Sequence, residues 1–156
     1  MLALMMVVLF AQTTGKVVAI ADGDTLTVRT SDSETVKVRL IHIDAPERGQ
    51  AYGNQSRQRL GEMVFGKQVE LIGTEKDRYG RLLAVVKADG LEVNLEMVKA
   101  GLAWAYLEYR PPGNYISTEQ KARAGRVGLW SDRQPMAPWD YRKQSRAKAK
   151  SKKQAA

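Results

Sequence analysis

Residues 16–43 read KVVAIADGDTLTVRTSDSETVKVRLIHI, and the spacing of apolar positions along this stretch decides the fold. Lys16–Ala21 is a β-branched apolar run that ends in the turn Asp22-Gly23. Asp24–Thr30 alternates apolar and polar side chains, and Ser31–Glu34 is turn chemistry. Thr35–Ile43 alternates again, with Val36, Val38 and Leu40 on one face and Lys37 and Arg39 on the other. Three strands joined by tight turns, with no helix between them, make a β-meander. That argues against a parallel α/β sheet, whose neighbouring strands need a crossover connection.

Downstream, Pro46 ends the third strand and Glu47–Gly53 reads as a loop. Asn54–Val64 reads as a helix with Leu60, Met63 and Val64 on its apolar side. Lys67–Thr74 and Arg81–Ala88 are two more strands, separated by the charged, turn-prone Glu75–Gly80. Val93–Ala100 is a short amphipathic helix with Gly101 in the C-cap position. Arg110–Asn114 (RPPGN) reads as a loop, and Ser117 or Thr118 caps a third helix that runs to about Arg123. The predicted class is α+β, a β-barrel with helices: a five-stranded Greek-key barrel of the OB type plus three helices, over residues 15–134.

The ends differ from this body. Met1–Ala11 (MLALMMVVLFA) is apolar and uncharged. It is shorter than the roughly 20 residues a bilayer span needs and has the length of a signal-peptide core, without a basic residue before it. Residues 1–14 are therefore expected to be a signal peptide or an apolar N-terminal segment. The expected location is secreted or periplasmic, with no stable membrane span. Residues 135–156 are dominated by Pro, Lys, Ala and Gln and are expected to be a disordered basic tail.

The chain has 156 residues, 44% of them hydrophobic, and a formal net charge of +8. Seven of its 25 cations lie in residues 141–156, where there is no acid; the other 18 nearly balance the 17 acids. Charge alone thus supports contact with a polyanion without establishing it. There is no cysteine and one histidine, His42. Thiol nucleophiles, iron–sulfur clusters, cysteine zinc sites and multi-histidine metal sites are excluded. Any metal must be one that accepts oxygen ligands.

Three clusters can carry chemistry. They are Asp22-Gly23-Asp24-Thr25 at a strand turn, Arg39 to Glu47 at the end of the third strand, and Asp77-Arg78-Tyr79-Gly80-Arg81 before the fifth. Asp24, Asp44 and Glu47 lie at strand ends, which a barrel can bring together. Paired carboxylates with a backbone carbonyl and waters suit Ca²⁺ or Mg²⁺. Two arginines converging there would clamp a phosphoryl group, and Glu47 would be the general base. Taken singly, each element has an ordinary reading: Asp-Gly is common hairpin chemistry, Arg39 by default is solvated, and His42 is packed or partly exposed.

Five ordered blocks resemble the thermonuclease, or staphylococcal-nuclease-like, family: IADGDTLTV (20–28), VRLIHIDAPE (38–47), DRYGRLLA (77–84), VNLEMVKAGLA (93–103) and GLWSD (128–132). The resemblance covers about Val17 to Asp132 and implies an OB barrel with three helices. It implies that Asp24 and Asp44, with the backbone carbonyl of Ala45, hold calcium, and that Asp22 stands behind the ion. It implies catalytic roles for Arg39, Glu47 and Arg81. Arg78 and Tyr79 match positions beside the terminal phosphate of the bound nucleotide. Tyr109 matches one of two tyrosines at the base; the other position falls on Leu107, with Tyr106 beside it. The loop after Glu47 is shorter than the family's lysine-rich one. The implied activity is a Ca²⁺-dependent, sugar-nonspecific nuclease, acting as a monomer on DNA and RNA and leaving 3′-phosphate ends. A non-catalytic OB module that binds nucleic acid or protein stays open beside it, as does an exported polyanion-binding protein that works through its tail.

Overall fold

The computed structural model describes residues 12–155. Strands β1 (Gln12–Ile20), β2 (Thr25–Thr30) and β3 (Thr35–Leu40) form the expected antiparallel meander. They are followed by the short β4 (Ile43–Asp44), helix α1 (Gly53–Val64), β5 (Gln68–Ile72), β6 (Leu82–Ala88) and β7 (Leu91–Glu92). Then come α2 (Val93–Lys99), β8 (Trp104–Ala105), α3 (Gly113–Ala124) and α4 (Pro138–Gln154). β5 pairs antiparallel with β1 and β6, and β6 runs parallel to β3 with Val38 opposite Leu82 and Leu40 opposite Ala84. That last seam closes a five-stranded mixed barrel, so the predicted fold class holds. Val17, Leu26, Val28, Val38, Leu40, Leu71 and Val86 are buried in it, and Leu60, Val64, Met97 and Val98 of α1 and α2 join the same core. Each such aliphatic side chain, when fully buried, contributes about 1.5–3 kcal/mol.

The structure departs from the sequence reading at four places. β1 starts at Gln12 rather than Lys16, because residues 12–16 pair with β5. Residues 12–14 therefore belong to the barrel, and the rest of the segment expected to be a signal peptide over residues 1–14 lies outside the described residues. β3 stops at Leu40 rather than Ile43. Ile41 and His42 form a turn, with His42 at φ 72°, and the chain then pairs with β8 instead of β6. Buried Asn94 pins this turn: its Nδ2 donates to the carbonyls of Ile41 (2.9 Å) and Ala84 (3.0 Å), and its Oδ1 accepts from the Val86 amide (2.9 Å). His42 packs as expected, its ring 5.3 Å from that of Tyr115 and its Nδ1 3.1 Å from the Tyr109 carbonyl.

Helix α3 begins at Gly113, inside the expected RPPGN loop. Pro112 is extended (φ −54°, ψ 152°) and stands directly before the first turn, where a missing N–H costs nothing. Tyr115, almost fully buried, fixes that turn in the core, and the Ser117 hydroxyl bonds back to the Asn114 carbonyl instead of capping the helix.

The largest correction concerns residues 135–156. The expected disordered tail is a fourth helix, α4, against three expected helices. Pro138 opens it, Asp140 lies in its first turn and Lys152 and Lys153 in its last, as the helix dipole favours. Lys, Gln and Arg are depleted from cores, but with Ala they are good helix formers. Packing supplies the rest. Trp139 meets Trp104 at 5.3 Å and Tyr106 at 5.6 Å, beside a small second core of Trp104, Ala122, Leu129, Trp130 and Ala137. Among the described residues no helix is long and apolar enough to cross a membrane.

Candidate active site

The turn between β1 and β2 carries Asp22 and Asp24. Gly23 lies so close to Ser56 of α1 and to Ala45 that a β-carbon would collide with both. This contact seats Asp24 against the strand that bears Asp44. Asp24 Oδ2 accepts from the Ala45 amide at 2.7 Å, and Asp24 and Asp44 both touch one nitrogen, Arg39 Nη2, at 3.2 and 3.1 Å. Arg39 Nη1 donates to the carbonyls of Leu40 (2.7 Å) and Ile43 (2.9 Å). The kink after β3 thus turns Ile43 and Asp44 back onto the arginine five residues earlier. Arg39 is 6% exposed, not solvated. Burial works against its charge, yet Asp24 and Asp44 hold its pKa above the ordinary arginine value.

Arg81 arrives from the turn before β6. Asp77 organises that turn: it accepts from the amides of Tyr79 (2.9 Å) and Arg81 (3.0 Å) and from Arg81 Nε (2.6 Å). Burial would raise the Asp77 carboxyl, but these hydrogen bonds with Arg81 and Tyr79 hold it below its usual range. The guanidinium carbons of Arg78 and Arg81 lie 4.8 and 5.4 Å from the Tyr79 ring. Tyr109 places its ring 5.8 Å from Arg39 Cζ and edge-on to Tyr106.

All these groups line one cleft of about 580 Å³, with Asp22, Asp24, Arg39, Asp44, Glu47, Arg78, Tyr79, Arg81 and Tyr109 among its walls. Ala45, expected to hold calcium through its carbonyl, is not among the walls; it is 3% exposed, with its amide on Asp24. Of the two candidates for the second tyrosine, Tyr106 lines the cleft, whereas Leu107 is 70% exposed and faces a neighbouring groove.

Acids outnumber the nearby fixed cations on the Asp22–Asp24–Asp44 side. Burial, and next the charge of Asp24, push the Asp22 carboxyl from 3.8 up to about 7. Burial likewise raises Asp44, against its hydrogen bonds to Arg142. The sign of the pH effect follows. The folded protein keeps a proton on Asp22 that the unfolded chain releases, so stability falls as pH rises from about 4 to about 7. Asp22→Asn is expected to stabilise the cation-free protein by on the order of 2 kcal/mol at about pH 8, allowing for partial exposure, and not at all near pH 4. Urea unfolding at the two pH values checks this; a gain independent of pH would contradict it.

The match to known proteins agrees with this geometry. Residues 37–132 match the family model described as Staphylococcal nuclease homologue. The chain belongs to the staphylococcal nuclease family. Within that family, the chain is 46% identical over 133 residues to a Haemophilus influenzae protein named as an uncharacterized endonuclease, covering 85% of this chain and 75% of that one. It is 43% identical over 143 residues to a Shigella flexneri protein named micrococcal nuclease, covering 85% of this chain and 82% of that one. A staphylococcal-like nuclease of Arabidopsis thaliana is 38% identical over 110 residues, which is 70% of this chain and 34% of that protein.

Of the cleft residues that escaped the sequence reading, Glu108, Arg142 and Arg146, one grips the acids. Arg142, on α4 and beyond the matched segment, donates from Nη1 to Glu47 Oε1 at 2.6 Å and grips both oxygens of Asp44, at 3.1 Å from Nη1 and 2.8 Å from Nη2. Its signal was present: Trp139 and Tyr141 are aromatic side chains in a stretch otherwise polar, and they flank an acid, Asp140. Among the described residues no cluster of three or more acids or histidines is arranged to hold a metal. The donor set is two carboxylates, Asp24 and Asp44, converging beside Asp22, whose carboxyl is raised by burial and next by the charge of Asp24. Such a set fits a hard cation that keeps several waters.

Proposed function

We propose that this protein is a calcium-dependent, sugar-nonspecific nuclease that hydrolyses DNA and RNA phosphodiesters and leaves 3′-phosphate ends. The observation that carries this is the convergence of Asp24 and Asp44 on Arg39 in the same cleft that Glu47 and Arg81 line. Nuclease chemistry at large is supported by the family; calcium and the 3′-phosphate ends are what the residue-by-residue resemblance to that family implies. Asp24 and Asp44 would hold the cation, which when bound polarises a phosphoryl oxygen.

The chain's own residues do the rest. Glu47 accepts the proton of a water as its oxygen bonds to phosphorus. The bond from phosphorus to the 5′-oxygen breaks, and its electron pair leaves with that oxygen, which takes a proton from solvent. Arg81 donates to the non-bridging oxygens as negative charge builds on them. Arg39 has three of its N–H groups committed to Leu40, Ile43 and Asp44 and its Nη2 paired with Asp24, so it contributes a fixed charge and its Nε–H. Tyr79 and Arg78 face the nucleotide's terminal phosphate, and Tyr109 with Tyr106 the base. Every donor addresses phosphate or a generic π-face, so sequence preference is weak and unstacked substrate is preferred. Export, resting on Met1–Ala11, completes the proposal.

Supercoiled plasmid and single-stranded RNA, incubated across a panel of divalent cations and with a chelator, test it. Cleavage of both with calcium is expected, with none in chelator and 3′ ends that polymerase extends only after phosphatase treatment. Binding without cleavage in every cation would make the protein a binding module instead.

A further inference from the structure

The base assigned above sits on a short loop. Residues 45–52 join β4 to α1, and the Glu47 side chain is about one-third exposed. Its carboxylate has one described partner, Arg142 Nη1. The same guanidinium holds both oxygens of Asp44, which is 1% exposed. One planar fork therefore fixes the spacing between the acid assigned to the cation and the acid assigned to the water.

Arg142 is itself held firmly. Trp139, three residues before it on α4, packs on Trp104 and Tyr106. Gln50, 9% exposed, ties the two segments together: its Oε1 accepts from the Glu47 amide at 2.9 Å, and its Nε2 donates to the Met136 carbonyl at 2.8 Å. The Tyr52 hydroxyl bonds Ser131 Oγ at 2.9 Å. The Glu47 loop and the lead-in to α4 are thus cross-linked at backbone and side-chain level. A helix that needed only an anchor could have used one surface carboxylate. Arg142 instead takes two that line the cleft: Asp44 Oδ1 is shared between Arg39 and Arg142, while Asp44 Oδ2 and the Glu47 oxygens keep lone pairs for another ligand.

We propose that Arg142 is a positioning residue for phosphodiester cleavage, its guanidinium holding Glu47 and Asp44 in fixed relation, so that the start of α4 is part of the working active site. This rests on the reading of Glu47 as general base. It reaches beyond the segment matched by the family model, which ends at residue 132.

The test is steady-state cleavage of a single-stranded DNA oligonucleotide at saturating calcium by the full chain and four variants. Arg142→Ala should lower kcat by about 10–100-fold, the range seen for partners that orient a reacting group, with KM changed less than about 3-fold. Arg142→Lys should fall between, since an ammonium can hold one acid but cannot fork across two. Glu47→Gln should be slower than either. The double variant should match Glu47→Gln within about 3-fold, because two residues acting as one unit do not multiply.

If Glu47→Gln cleaves at the wild-type rate, the base reading fails. If Glu47→Gln is slow but Arg142→Ala multiplies onto it, alters only KM, or raises kcat, the base stands and the positioning role is overturned. Near-UV circular dichroism of the tryptophan cluster reports folding. Should Arg142→Ala unfold, the lysine variant alone and combined with Glu47→Gln carries the same comparison.

Discussion

Glu47→Gln is expected to lower kcat by about 10²–10⁴-fold, the usual contribution of a positioned general base. The amide has the shape of the carboxylate, and its oxygen can still accept from Arg142 Nη1, so the loop keeps its anchor. The Glu47 amide stays bonded to Gln50, which depends on nothing in the Glu47 side chain. What disappears is the ability to take a proton from water. Single-turnover cleavage of an oligonucleotide measures the loss, and thermal unfolding verifies that the melting temperature moves little. A drop below about 10-fold would remove Glu47 from the reaction.

Arg39→Met should cost both stability and activity. Arg39 is 6% exposed, and its partners Asp24 and Asp44 are 5% and 1% exposed. Methionine fills similar length without charge, and it leaves two buried acids facing each other. Removing one partner from a buried ionic cluster costs about 3–5 kcal/mol, mostly from the charge left behind. Two carbonyls, of Leu40 and Ile43, also lose their donor. Urea unfolding in chelator should show this loss. Calcium should recover part of it, because a ligand that binds only the folded state stabilises that state. Cleavage should fall by at least about 10²-fold even at temperatures where the variant is folded. A stability change within about 1 kcal/mol would mean that Asp24 and Asp44 do not depend on this arginine.

The barrel was legible in residues 16–43 because alternation at period 2 with Asp-Gly and SDSE turns leaves little choice of local structure. The cleft was legible for a similar reason: strand ends in such a barrel gather, and most of the candidate residues sit at strand ends. Arg39 shows where this reading stops. Period 2 put it on the face opposite Val38, and that face is ordinarily solvated; only the kink at His42, which folds Ile43 and Asp44 back, buries it. That kink depends on Asn94, more than fifty residues later, and no local pattern reports it. The tail failed for a different reason. Composition averages over a window, and seven cations outweigh one tryptophan and one tyrosine in such an average. Yet it is Trp139 that seats α4, and Arg142 could be placed only once Trp104 and Tyr106 were in place.

The parallel seam between β3 and β6 has a kinetic consequence. It joins residues 38–40 to residues 82–84, a separation that includes a helix and a whole strand, so closing it carries a large loop entropy before any contact rewards it. Arg39 lies on one lip of that seam and Arg81 just before the other. A chain in which this seam is open has Arg39 and Arg81, the two arginines proposed to serve the phosphate, apart, so the proposed hydrolysis requires the closed barrel.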